Sequence, residues 1–152
     1  MYRKILVPLD GSEMAECVLP HVEEIAKRCQ AEVVLFQVCQ PAVILADYPA
    51  DLREGWEDHV KRETTHLQQI CATYLGEAEK KFREAGLNTT VRTGSGNAAE
   101  EILDYATQNQ VDLIILATHG RSGITRWAYG STTDKVLHAS PIPVMIIRPC
   151  KK

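Results

Sequence analysis

VDLIILATHGRSGITRWAYGSTTDKVLHA, Val111 to Ala139, decides how the rest of the chain is read. It opens on an apolar run, Val111 to Leu116, and passes through Ala117, Thr118, His119, Gly120, Ser122 and Gly123. A second pair, Gly130-Ser131, then launches a helix in which Ser131 and Asp134 read as a cap and Val136, Leu137 and Ala139 face inward. A buried strand followed by small residues and a helix N-terminus suits an anion. Glycine lets main-chain N–H groups come close, and the donors of the first helical turn lack partners within the helix. The segment therefore predicts a cradle for phosphate.

Outward from it, the same alternation repeats. Arg3–Leu9, Glu32–Cys39, Leu87–Thr93 and Ile142–Ile147 read as further strands, short and rich in branched residues. Ala15, Val18, Leu19, Val22, Ile25, Ala26 and Cys29 form one helical stripe, with Ser12 as its N-cap and Pro20 predicted to kink it. A second helix is expected from about Lys61 to Ala85, along Leu67, Ile70, Cys71, Tyr74, Leu75, Ala78 and Phe82, with Gly86 as its stop. Asn97 and Glu100 resemble a capping box ahead of Ala98, Ala99, Ile102, Leu103 and Ala106. Gln40 to about Val60 has no clean period and reads as a mobile or variable connection. Five strands alternating with four helical segments predict an α/β fold: one domain over residues 1–152, an open parallel sheet with helices on both faces. Ligands of such sheets bind beyond the carboxyl ends of the strands. Pro8-Leu9-Asp10-Gly11-Ser12 and Thr118–Gly123 carry the strongest turn chemistry there.

Composition narrows the class. The chain has 152 residues, 45% hydrophobic and 24% charged, with a formal net charge of −3. That balance argues against nucleic acid as a partner. No apolar run reaches the roughly 18 residues of a membrane span, and no signal peptide is visible, so a cytoplasmic protein is expected. The cysteines, Cys17, Cys29, Cys39, Cys71 and Cys150, are odd in number and never in C-x-x-C spacing. They predict neither a disulfide framework nor a zinc site.

Two common nucleotide signatures are absent or incomplete. The phosphate loop G-x-x-x-x-G-K-[ST] is absent, because no glycine precedes a lysine. Gly94-Ser95-Gly96-Asn97-Ala98-Ala99 has the form G-x-G-x-x-A, but the acid at the right range, Asp112, opens the next strand instead of closing it. A glycine turn before a capped helix accounts for those residues.

A third pattern is specific. Ala117-Thr118-His119-Gly120, nine residues, then Gly130-Ser131 resembles the G-x-x-G, nine residues, G-[ST] of the nucleotide-binding universal stress proteins, with alanine at the first glycine. KILVPLDGS (Lys4–Ser12), Val38, NAAEEIL (Asn97–Leu103), DLIILATHGRSG (Asp112–Gly123) and SPIPVMIIRP (Ser140–Pro149) extend the likeness over nearly the whole chain. The resemblance implies a Rossmann-like sheet in the order 3-2-1-4-5 that binds ATP or a related adenine nucleotide (ADP, AMP or cyclic AMP). Whether Mg2+ accompanies it stays open.

By the same resemblance, Asp10 is the acid facing the nucleotide, with Pro8 and Leu9 beside it. Val38 touches adenine, Leu116 and Ala117 lie beside ribose and base, and Gly120, Arg121, Gly130, Ser131 and Thr132 make the phosphate cradle. A homodimer through the last strand, Ile142–Ile147, is also implied. No nucleophile–base pair or metal cluster is evident, so the sequence points to a stress-response regulator with at most slow ATP hydrolysis. The alternatives are a family member acting through protein contacts without nucleotide, and an adenylating or hydrolytic enzyme on the same scaffold. Asp10 also reads as a helix cap, and the pairs Glu23-Glu24 and Glu100-Glu101 as solvated outer helix faces.

Overall fold

The computed structural model describes residues 1–39, 55–118 and 131–148. Five strands, β1 (Lys4–Pro8), β2 (Glu32–Val38), β3 (Thr89–Gly94), β4 (Leu113–Ala117) and β5 (Val144–Ile147), form one sheet in the order β3-β2-β1-β4-β5, every neighbour parallel. Among the described residues, four α-helices lie between successive strands: α1 (Leu19–Cys29), α2 (Trp56–Glu84), α3 (Ala98–Gln108) and α4 (Ser131–Ala139). The expected α/β class and strand order are what the structure has.

Alternation along the strands sends side chains to two cores. Ile5, Val7, Val33, Leu35, Leu113 and Ile115 meet Val22 and Ala26 of α1 and Leu75, Ala78 and Phe82 of α2 on one face. Leu6, Val34, Phe36, Ile114 and Leu116 meet Ala99, Ile102 and Ala106 of α3 and Val136 of α4 on the other. The central strands therefore read as continuous apolar runs because both their faces are covered.

The Ser12 hydroxyl accepts the Ala15 N–H at 3.1 Å, as the expected cap. A 3-10 turn over Ala15–Val18 intervenes, however, and α1 starts only at Leu19. Pro20 therefore sits in the first turn of α1 and kinks nothing: its missing N–H falls where helical N–H groups have no partner anyway. The helix α2 begins at Trp56, five residues before the expected Lys61, and it absorbs the end of the segment read as a variable connection; the rest of that segment, 40–54, lies outside the described residues. Ile70, expected on the inner stripe, is 52% exposed.

Gly86 closes α2 at φ +83°, with Leu87 N–H bonded to the Phe82 carbonyl and Gly86 N–H to that of Arg83. This double-bonded left-handed stop favours glycine. A Cβ there would touch nothing within 4 Å, so Gly86→Ala is expected to cost about 1 kcal/mol from backbone strain alone, read as a lowered urea midpoint.

The cysteine expectation is corrected. Cys39, just past β2, is disulfide-bonded to Cys71 of α2 across 32 positions. Spacing along the chain is blind to such a pair, because the fold alone brings the end of β2 against α2.

Asp112 lies at the amino end of the sheet. Its carboxylate accepts the N–H groups of Arg3 at 2.8 Å and Lys4 at 2.9 Å, tying the entry of β4 to the start of β1. These bonds, Arg3 first, hold its carboxyl below the ordinary carboxylate value. A depressed folded value means the contribution is complete above the unfolded pKa and fades as pH falls through the folded one. Asp112→Asn is thus expected to flatten the acid limb of the stability curve, measured by thermal melts from neutral to strongly acid pH.

Candidate functional site at the carboxyl edge of the sheet

The winding of the sheet reverses between β1 and β4. Their pairing runs through Ile5↔Leu113 and Leu6↔Ile114 and goes no further, although β1 continues to Pro8 and β4 to Ala117. The two strands part toward their carboxyl ends, which is where sheets of this kind open a ligand crevice. One wall is the β1 loop. Leu9 donates its N–H to the Phe36 carbonyl at 2.8 Å and buries its side chain in the core. Its neighbours Pro8 and Asp10 are half-buried and exposed. The Asp10 carboxylate accepts both the N–H of Ser12, at 2.9 Å, and its hydroxyl, at 2.6 Å. Asp10 thus shapes the turn but is not the helix cap also expected of it: the Ala15 N–H is taken by Ser12, which Asp10 holds.

The other wall is β4 with the start of α4. The Thr133 hydroxyl donates to the Ala117 carbonyl at 3.1 Å across 16 positions, and Thr133 is only 7% exposed. This bond draws the first turn of α4 onto the end of β4. Thr118 N–H in turn bonds the Ile147 carbonyl at 3.0 Å, so the strand end is held from β5 as well. Ala117 and Thr132 are half-buried at this edge, while Leu116 is buried in the second core. Val38, at the end of β2, is half-buried on the same face as Leu116.

Pro8, Leu9, Asp10, Val38, Leu116, Ala117 and Thr132 are thus gathered at one edge, and Ser131 opens α4 there. Gly120, Arg121 and Gly130 lie outside the described residues, as does His119. Thr133 was missed by sequence reasoning. Its signal was modest: a hydroxyl two positions into a helix, on the side of the inward Val136. Gln37 was missed too, a polar residue inside the apolar β2. Its side-chain oxygen is buried without a hydrogen-bond partner, and its amide nitrogen stands 3.6 Å from where a Cβ on Gly11 would be. Nearby on α2, the Tyr74 hydroxyl is also buried without such a partner. Burial first, then the Glu16 carboxylate beside it and Asp10, push this phenol well above its ordinary value, so it stays neutral.

The partial dinucleotide signature resolves as expected from the turn reading. Gly96 takes φ +121°, and the Asn97 side chain accepts the N–H groups of Ala99 and Glu100 at 3.1 and 3.4 Å. Asp112 sits at the opposite end of the sheet. Glu101 departs from expectation: it is half-buried, its carboxylate 2.8 Å from where a Cβ on Gly94 would stand, so it leans over the β3–α3 turn.

The universal stress protein family model matches residues 1–148. The chain belongs to the universal stress protein family. Universal stress protein YxiE of Bacillus subtilis is 30% identical over 148 residues, 97% of this chain and 100% of that one. The solved structure of MJ0577, a universal stress protein of Methanocaldococcus jannaschii, superposes with a TM-score of 0.81 at 26% identity, covering 100% of this chain and 99% of that one. A universal stress protein solved in complex with cAMP shares the fold at a TM-score of 0.61 and 18% identity, covering 98% of each chain. Among the described residues of this universal stress protein, no group of three or more His, Cys, Asp or Glu could hold a metal ion. None of its helices, among those residues, is long and apolar enough to cross a membrane.

Proposed function

We propose that this universal stress protein is a cytoplasmic regulator that binds ATP or a related adenine nucleotide at the carboxyl edge of its sheet and hydrolyses it slowly at most. The observation that carries the reading is the Thr133–Ala117 bond. It supports a phosphate site because it brings the N–H groups of a helix start to the end of a strand at the point where the winding reverses. Gly120, Arg121, Gly130, Ser131 and Thr132 would hold the phosphates, with the Arg121 guanidinium as a planar fork of donors. Val38 and Ala117, half-buried and apolar, suit the base and ribose. Pro8, Leu9, Asp10 and Leu116 would complete the walls through main chain and turn. The cAMP complex of a relative adds support for an adenine ligand.

A homodimer through β5 belongs to the same proposal. Val144, Met145, Ile146 and Ile147 are all half-buried at the sheet edge, and a second copy would cover them. Light scattering at micromolar concentration tests this.

Calorimetry with ATP, ADP, AMP and cyclic AMP, with and without Mg2+, tests the nucleotide. Saturable one-site binding is expected, abolished in Gly130→Val while the far-UV spectrum stays unchanged. Binding unaffected by that substitution would place the phosphates elsewhere.

A further inference from the structure

We propose that Cys39 and Cys71 are a reversible oxidative modification site that fastens the end of β2 to α2. The two cysteines are 8% and 6% exposed, bonded to each other, with Cα atoms 6.7 Å apart, a span that a disulfide bridges. Position argues for control over mere stapling. Both cores of the 152-residue chain are built from aliphatic and aromatic side chains, and a domain of this size holds together without a covalent tie. The bond sits instead where β2 ends. Cys39 directly follows Val38 and donates its N–H to the Gly94 carbonyl at 2.9 Å, one step past the last paired residues of β2 and β3. The sulfur at 39 therefore decides whether the end of β2 is anchored to α2. In a reducing cytoplasm such bonds are transient and regulatory.

Burial selects a small oxidant, and hydrogen peroxide fits. The thiolate of one cysteine attacks peroxide; the O–O bond breaks, a sulfenic acid forms and one water leaves after proton transfer. The second thiol then attacks that sulfur. The S–S bond forms, the S–O bond breaks, and a second water leaves. Two thiols lose two electrons and two protons, and peroxide is reduced to two waters. A dithiol reverses the change by thiol–disulfide exchange, becoming a disulfide itself. Because Val38 precedes Cys39, the two states differ at the edge assigned to adenine; this coupling rests on the nucleotide reading above.

The test uses the full chain, fully reduced, then treated with stoichiometric peroxide. Intact mass is expected to fall by about 2 Da, a digest to join the Cys39 and Cys71 peptides, and dithiothreitol to restore the dithiol. Hydrogen exchange of residues 36–39 is expected to slow at least about tenfold on oxidation, as local opening becomes rarer. Neither change should occur in Cys71→Ser or, as a second variant, Cys39→Ala. A different cysteine pairing, no bond, or a bond without altered exchange would overturn the proposal. ATP affinity is expected to differ at least about threefold between the two states in the wild type and not in the variants, which corresponds to a modest coupling between sites. Equal affinities would overturn the coupling. Absence of binding in both states would instead overturn the nucleotide reading, while mass and exchange still decide on the pair.

Discussion

Phe36→Ala is expected to lower the free energy of unfolding by about 3–5 kcal/mol, in the range of large-to-small aromatic truncations in cores. That corresponds to a fall of about 6–20 °C in Tm for a chain of this size. Phe36 is 2% exposed in the core beneath α3, with its ring centroid 5.0 Å from that of Tyr105. Its position at the third-last residue of β2 makes the site sensitive. Its ring stands 3.0 Å from where a Cβ on Gly94 would be, so glycine ends β3 partly because this ring needs the room. Its backbone holds Leu9 on one side and pairs with Arg92 on the other. Truncation would leave a cavity between β2, β3 and α3 at the edge where Val38 emerges. Differential scanning calorimetry measures the loss. Phe36→Leu, which keeps most of the volume, should recover more than half of it, whereas an equal loss in both would point to the ring contact with Tyr105 as the main contribution.

How far the sequence could be read differs from element to element, for physical reasons. Leu113–Ala117 was legible because a strand covered on both faces must be apolar throughout, and Ile114 and Ile115 are indeed fully buried on opposite cores. Asn97 was legible because a cap is a local bargain between a side chain and the next turn. The start of α2 was not: Glu57, Asp58 and His59 are exposed, so its first turn has no apolar stripe to betray it. Pro20 misled because one residue type suits a helix start and a kink alike, and the 3-10 turn before α1 carries the stripe on without a break. The pairing of Cys39 with Cys71, and the lean of Glu101 over Gly94, depend on which elements become neighbours in space. No local period encodes that. The candidate site was legible in its residue types, through family likeness and the glycine–helix pattern, but not in what holds it together. Gly94 belongs to the same class: the Phe36 ring explains it, and that neighbour is remote in sequence.

Thr133→Val probes that hidden support. Valine keeps the shape of threonine and removes the hydroxyl, so the buried side-chain volume is preserved while the 3.1 Å bond to the Ala117 carbonyl is lost. A carbonyl deprived of a buried donor costs about 1–3 kcal/mol, and urea unfolding should register a loss in that range. The effect on ligand is expected to be larger in proportion. Binding of phosphate by a helix N-terminus depends on donors held in place before the ligand arrives. With the tie gone, the first turn of α4 is steadied by Val136, a full turn further on, and the cradle must be ordered at the expense of affinity. About a tenfold or greater weakening of ATP is expected, equivalent to about 1.4 kcal/mol or more. Thr133→Ser, which keeps the donor and drops the methyl, should bind within about threefold of wild type, a difference below 1 kcal/mol. Should valine and serine weaken ATP alike, packing by the methyl and not the hydroxyl would be what positions α4. Should neither change affinity, the anion site is not built on the junction of β4 and α4, and the functional reading loses the observation on which it stands.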